Sequence, residues 1–168
     1  MGQLPNWLVI LFASVLTLIT GAECTALLMH GWFMVDDPNA LRDGQYMFVF
    51  FLGGSAGTAV AIPTAVMGAV MVALRPDFVR YLTVTLALIT ALGVGMGLLL
   101  SVPAGINGVG WGVFGIGLTL LGIITTPLGL FWFGHCAPVA VPIGVLMALA
   151  VIGAYWVYNR REGGTASV

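Results

Sequence analysis

The polar residues that could do chemistry are few, and two of them lie in one stretch near the amino terminus. Glu23 is the one acidic residue well inside a long apolar run, and His30 follows it seven positions later. In a helix, that interval is close to two turns, so both side chains project from one face about 10 Å apart. They are too far apart to hydrogen-bond each other. Glu23 therefore needs a partner from another helix or chain.

A carboxyl group in a membrane span either finds a partner or takes up a proton, so it is a functional candidate by default. If Trp7 marks one membrane interface, Glu23 falls in the outer third of its helix and His30 lies at or beyond the headgroups. One interpretation of Glu23 is a proton acceptor, polar gate or subunit contact. The other is a side chain that reaches water or headgroups, or caps a neighbouring helix. His30 is interpreted as a solvated anchor, with haem or metal ligation as the alternative.

The remaining candidates are scattered along the chain. The full set of candidate functional polar residues is Glu23, His30, Asp36, Asp37, Ser55, Thr58, His135 and Cys136. Zinc and copper sites need three or four ligands, and no HxxxH, ExxH or CxxC spacing supplies them around His135 and Cys136. No serine or threonine has His and Asp at positions that indicate a nucleophilic triad. The sequence therefore predicts no metal site and no catalytic residue, and it identifies no cofactor.

Composition assigns these residues to a membrane protein. The chain has 168 residues, of which 60% are hydrophobic and 7% charged, against roughly 25% charged in an ordinary soluble domain. The predicted fold is all-α and integral to the membrane, a polytopic helical bundle that forms a single domain over residues 1–168. A net charge of −1 provides no basic stripe for phosphates, which excludes nucleic-acid binding. The two cysteines are far apart and form no disulfide framework.

Apolar runs long enough to cross a bilayer position the candidate residues. They predict five transmembrane helices, near 7–33, 45–74, 78–102, 111–133 and 137–158. Pro138 is expected at the start of the last helix, where proline is tolerated. The small residues at 53–57 and the glycines at 93–97 and 108–117 are interpreted as surfaces on which helices pack closely.

The glycines near the fourth span leave a second topology open. Residues 103–122 contain seven glycines, which is unfavourable for a straight helix because each interior glycine costs about 1 kcal/mol relative to alanine. In the alternative, residues 103–135 form a re-entrant hairpin and only four helices cross. The hairpin brings His135 and Cys136 to the same side as Glu23 and His30, and it places the arginines at 75–80 and 160–161 together in the cytoplasm. With five spans, His135 and Cys136 lie on the opposite side of the membrane from Glu23 and His30, and the two groups of arginines lie on opposite sides as well.

Three functions follow from these features. The leading hypothesis is a small, non-catalytic integral subunit or accessory protein of a bacterial inner-membrane complex, packed through Gly and Ala faces. The second is a homo-oligomeric channel or transporter for ions or small solutes, with Glu23, Ser55 and Thr58 along a polar path. The third is a haem- or metal-containing membrane redox protein using His30 or His135. In each case the expected location is the inner membrane, with lipid and other membrane subunits or further copies of the chain as partners.

Overall fold

The computed structural model describes residues 5–40 and 47–165, and the regular structure in those ranges is entirely helical. The helices are α1 (Asn6–Asp36), α2 (Met47–Leu74), α3 (Phe78–Leu100), α4 (Gly105–Ile124), the short α5 (Thr126–Gly129) and α6 (Phe133–Thr165), with a 3-10 turn at Val102–Ala104 between α3 and α4. Five of these helices, all except α5, are long and apolar enough to cross a membrane. The prediction of an all-helical bundle is confirmed.

The fourth helix departs from its predicted limits. It begins at Gly105 and ends at Ile124, whereas the sequence indicated a helix over 111–133. Proline lacks the N–H that would continue the helical hydrogen bonds, and Pro127 opens the short α5 instead. The glycines between 105 and 122 therefore do lie in one helix, and the aromatic run that follows them does not continue it.

Two other expectations concern the ends of neighbouring helices. Pro138 does not open the last helix, because α6 begins at Phe133 and contains both Pro138 and Pro142. That expectation is wrong. The polar sequence from Asp36 to Gly44 also predicts a hydrophilic loop between α1 and α2, and residues 41–46 of it lie outside the described ranges.

Helix α1 is central to the bundle. Every residue from Thr20 to Leu27 is buried, because α2, α3, α4 and α6 all pack against it. A Cβ atom on Gly57 of α2 would collide with the carbonyl oxygen of Gly21, and one on Gly97 of α3 would lie 2.6 Å from that of Leu27. These glycines let three backbones approach closely. Their interpretation as packing surfaces is confirmed.

Contacts between helix ends define two ends of the bundle. At the first, which we call the histidine end, His135 at the start of α6 lines a pocket with Trp32 of α1 and Val49 of α2. At the other, the arginine end, Arg80 of α3 and Arg161 of α6 line one groove. Helix α6 therefore begins at the end where α1 finishes and α2 starts.

Helix α4 starts at the histidine end, and the chain returns to that end after it. Gly108, near the start of α4, contacts His30, while Thr119 contacts Glu23. Eleven residues of α4 rise about 16 Å, yet Glu23 and His30 are only about 10 Å apart along α1, so α4 is strongly inclined. Helix α5 then packs against α2, and α6 begins beside Trp32. We call residues 105–132, which enter and leave at the same end, the α4–α5 arm.

Candidate functional site: a buried carboxyl group beneath the α4–α5 arm

The face of α4 that meets α1 and α2 consists of small residues at helical spacing. They are Gly108, Gly112, Gly115, Thr119 and Gly122, and all five are buried. Intervals of four and three residues align them on one side of the helix. A Cβ atom on Gly122 would lie 2.8 Å from the carbonyl oxygen of Phe51, and one on Gly115 would overlap the ring of Phe50. Thr119 is the one member of this face with a polar side chain.

Glu23 lies directly beneath Thr119. Its side chain is 4% exposed, and its Oε1 atom is 2.7 Å from Thr119 Oγ1. The same Oγ1 atom is also 2.7 Å from the carbonyl oxygen of Ile116. A threonine hydroxyl has one proton, so it can donate to only one of these two oxygens. If the carboxyl group is protonated, it donates to Thr119 and Thr119 donates to Ile116, and both short contacts are hydrogen bonds.

The surroundings of Glu23 favour the same neutral state. The arginines of the described ranges lie in the turn between α2 and α3, at the start of α3 and at the end of α6, far from the middle of α1. The second oxygen of Glu23, Oε2, is buried and has no hydrogen-bond partner within the described residues. A buried carboxylate without a counter-charge is costly, whereas a carboxylic acid is tolerated. Glu23 is thus an interior group rather than one that reaches water, and it does not cap a helix end.

His30 secures the other end of α4. It is fully buried, and its Nε2 atom donates to the carbonyl oxygen of Gly108 at 3.0 Å, since a carbonyl can only accept. Its ring lies 4.7 Å from that of Phe50, centroid to centroid. The structure therefore places His30 inside the bundle and not as a solvated anchor. Ligation of a haem iron through Nε2 would break the bond to Gly108.

Hydroxyl groups bind the free carbonyls where α4 ends. The last four carbonyl groups of a helix have no partner within it, and those of α4 meet side chains of α2 and of the turn itself. The hydroxyl groups are those of Ser55, Thr125 and Thr126, at 2.9, 3.0 and 2.6 Å from the carbonyl oxygens of Gly122, Leu121 and Ile123. Ser55 Oγ is also 2.9 Å from the carbonyl oxygen of Phe51, so its one proton is shared between its own helix and α4. Because these hydroxyl groups bind the carbonyl groups at the end of α4, the turn after α4 can pack against α2 inside the bundle. Ser55 is therefore part of the site, as a cap for α4.

Three other predicted residues make only local contacts. Thr58 donates to the carbonyl oxygen of Gly54 in its own helix, at 2.8 Å. Asp36 and Asp37 are exposed at the end of α1, and Asp37 accepts a bond from the backbone N–H of Asn39 at 3.0 Å. These bonds stabilise a helix and a turn, and the structure does not bring the two aspartates to Glu23.

His135 and Cys136 lie at the histidine end of the bundle, but they do not join Glu23. His135 is exposed, with its ring 5.9 Å from that of Trp132. Cys136 is 1% exposed and packs with Ala56 and Ala140. Within the described ranges, no three His, Cys, Asp or Glu side chains are grouped so that they could hold a metal ion.

The site differs from its prediction chiefly by Thr119, which the sequence-based candidates omit. A signal for it exists, because Thr119 interrupts a run of glycines at intervals of three and four residues and so must share their face. The assembled group consists of Glu23, His30 and Ser55 from the core and Thr119 from the arm. It can hold a proton and fix the arm to the bundle. No known protein family, no curated protein and no solved structure matches this chain.

Proposed function

We propose that the protein is a multi-pass membrane protein in which α1, α2, α3 and α6 cross the bilayer and the α4–α5 arm is re-entrant. Tryptophans support this placement, because indoles concentrate at membrane interfaces. Trp7 lies in the first turn of α1 and Trp156 lies one turn before Arg160, both towards the arginine end, whereas Trp32 is in the last turns of α1 and Trp132 directly precedes α6, both towards the histidine end. Trp7 and Trp32 are about 37 Å apart along α1, enough to span a hydrocarbon core of about 30 Å. Glu23 is then about 13 Å below the level of Trp32.

Surface chemistry and arginine positions support the same placement. Leucines on the outer faces of α3 and α6 are 60% exposed or more, including Leu88, Leu92 and Leu149, and such faces suit lipid. The arginines within the described ranges belong to the arginine end. The positive-inside rule then assigns that end to the cytoplasm of a bacterial inner membrane.

Within that membrane, the protein acts as a non-catalytic subunit or accessory protein of a larger complex. The observation that carries this proposal is the outer face of α4. Gly110 and Gly117 lie there, and a Cβ atom on either would meet nothing within 4 Å, while Phe114 and Ile124 beside them are 58% and 77% exposed. Small residues between large apolar ones allow a partner helix to approach closely. One face of α4 thus packs inward and the other accepts a partner.

The test is purification in mild detergent with leucine substitutions on this face. Gly110→Leu and Gly117→Leu add side chains into open space, so we expect the fold to tolerate them. The yield of co-purified stoichiometric partners should fall at least tenfold. Gly153→Leu on α6 is the matched control, since its Cβ also meets nothing, and it should retain the partners. A wild-type protein that purifies as a lone monomer, or partners that survive both α4 substitutions, would contradict the proposal.

A second function, proton-coupled transport of a small solute, is favoured by Glu23 itself. A neutral carboxylic acid deep beneath a re-entrant arm is a group that could release and regain a proton as the arm moves. Its test is solute flux in proteoliposomes under a pH gradient. Glu23→Gln keeps the size and the bond to Thr119 but cannot exchange a proton, so flux should fall at least tenfold. The control is Ser14→Ala, which removes a hydroxyl group bonded within α1 and should leave the flux unchanged. If Glu23→Gln also leaves the flux unchanged, Glu23 has no role in proton-coupled transport.

A further inference from the structure

The groove between α3 and α6 at the arginine end is charged at its mouth and apolar below. It has a volume of about 550 Å³, within the range of small-molecule sites. Two helix faces supply most of its lining: Arg80, Val84 and Thr85 from α3, and Ala154, Val157 and Arg161 from α6. Their intervals of about one turn align each set along the groove.

Charge and depth are ordered along this groove. Arg80 is in the first turn of α3, and Val84 is one turn further in, about 6 Å deeper. On α6, Arg161 is one turn beyond Val157 towards the cytoplasmic end. Both guanidinium groups therefore lie at the level of the helix ends, and the aliphatic side chains extend from them towards the middle of the bilayer.

The aromatic residues beside the groove mark the level of the membrane interface. The ring of Tyr81, which also lines the groove, is 5.4 Å from that of Tyr158, and Phe78 packs edge-on to Tyr155 at 5.3 Å. Tyrosine rings concentrate where hydrocarbon meets headgroups. The two arginines thus lie where lipid phosphates are found.

Two like charges in one groove attract an anion. Arg80 and Arg161 both line the groove, and each guanidinium group has five N–H donors, so either can bind a phosphate oxygen as well as a protein partner. Guanidinium groups bind phosphate oxygens through paired N–H donors. An anion that also offers an aliphatic chain would satisfy both parts of the groove.

We propose that this groove binds an anionic phospholipid, with its phosphate between Arg80 and Arg161 and one acyl chain along Val84, Ala154 and Val157. Basic pockets between transmembrane helices on the cytoplasmic side recognise such headgroups. The site rests on the proposed membrane placement, because only a bilayer supplies the lipid at this depth. It does not depend on the partner interface of α4 or on Glu23.

The experiment measures the melting temperature of the protein in a non-ionic detergent with added lipid. Phosphatidylglycerol is expected to raise it by about 2–4 °C at saturation, and native mass spectrometry should detect one bound lipid. Arg80→Gln with Arg161→Gln should abolish both effects; both side chains are exposed, so the fold should be retained. Arg160→Gln is the control, since Arg160 stacks 4.0 Å over the ring of Trp156, outside the groove lining, and the lipid effects should survive.

Three outcomes overturn the site. They are equal stabilisation by phosphatidylcholine, retention of the effect in the double variant, and equal stabilisation by inorganic phosphate alone, which would identify a free anion as the ligand. Membrane insertion is measured separately by extraction: protein released from membranes by detergent but not by alkaline carbonate is integral. If it is integral and phosphatidylglycerol has no effect, the lipid site fails while the membrane placement stands.

Discussion

Replacing Gly115 by leucine is expected to detach α4 from the bundle and to lower the free energy of unfolding by about 3 kcal/mol, the upper part of the usual range for an overfilled core. A side chain at this position would overlap the ring of Phe50. That ring is fully buried and packs against His30, so it has no free space to enter. Unfolding in mixed detergent measures the loss, and Gly115→Ala should give a smaller one of the same sign.

A reactive cysteine distinguishes detachment of α4 from general unfolding. With Cys24 and Cys136 replaced by alanine, a cysteine introduced as Thr119→Cys should be inert to maleimide, because Thr119 is fully buried. In the Gly115→Leu background it should react at least tenfold faster, while helix content by circular dichroism remains near that of the parent.

Gly117→Leu is the matched control for this prediction. It makes the same chemical change two residues away, but a Cβ atom there meets nothing within 4 Å. Leucine also has a higher helix propensity than glycine by about 1 kcal/mol, which affects both variants alike. The difference in the free energy of unfolding between the two variants therefore measures the cost of packing a side chain on the inner face of α4. Equal destabilisation by the two substitutions would contradict the assignment of an inner and an outer face to α4.

The helical class and most helix limits could be predicted because they depend on local composition. Apolar runs of 20 residues or more identify α1, α2 and α3 within a few residues of their observed ends. The glycines at Gly57 and Gly97 could be assigned to packing, since small residues in such runs have few other uses. Glu23 and His30 were expected to share a face, and both do meet α4.

The depth and partners of these residues could not be predicted, because they depend on which helices meet. His30 is two residues from the exposed Trp32, and sequence position alone predicts an interfacial side chain. Its burial depends on α4, where Gly108 lies almost eighty positions later in the chain. The end of α4 was misplaced for a similar reason. Residues 125–133 are apolar enough to continue a span, and Pro127 by itself does not place the helix end, because Pro138 and Pro142 lie inside α6.

The course of the α4–α5 arm is the central claim, and cysteine labelling from one side of sealed vesicles tests it most directly. In a protein lacking Cys24 and Cys136, single cysteines are introduced as Asp37→Cys, Asp77→Cys, His135→Cys and Asn159→Cys, all at exposed positions. A re-entrant arm predicts that a membrane-impermeant maleimide labels positions 37 and 135 from one side and positions 77 and 159 from the other. If position 135 is labelled from the same side as position 77, and position 159 from the same side as position 37, then α4 crosses the bilayer. That result would contradict the re-entrant course of the α4–α5 arm.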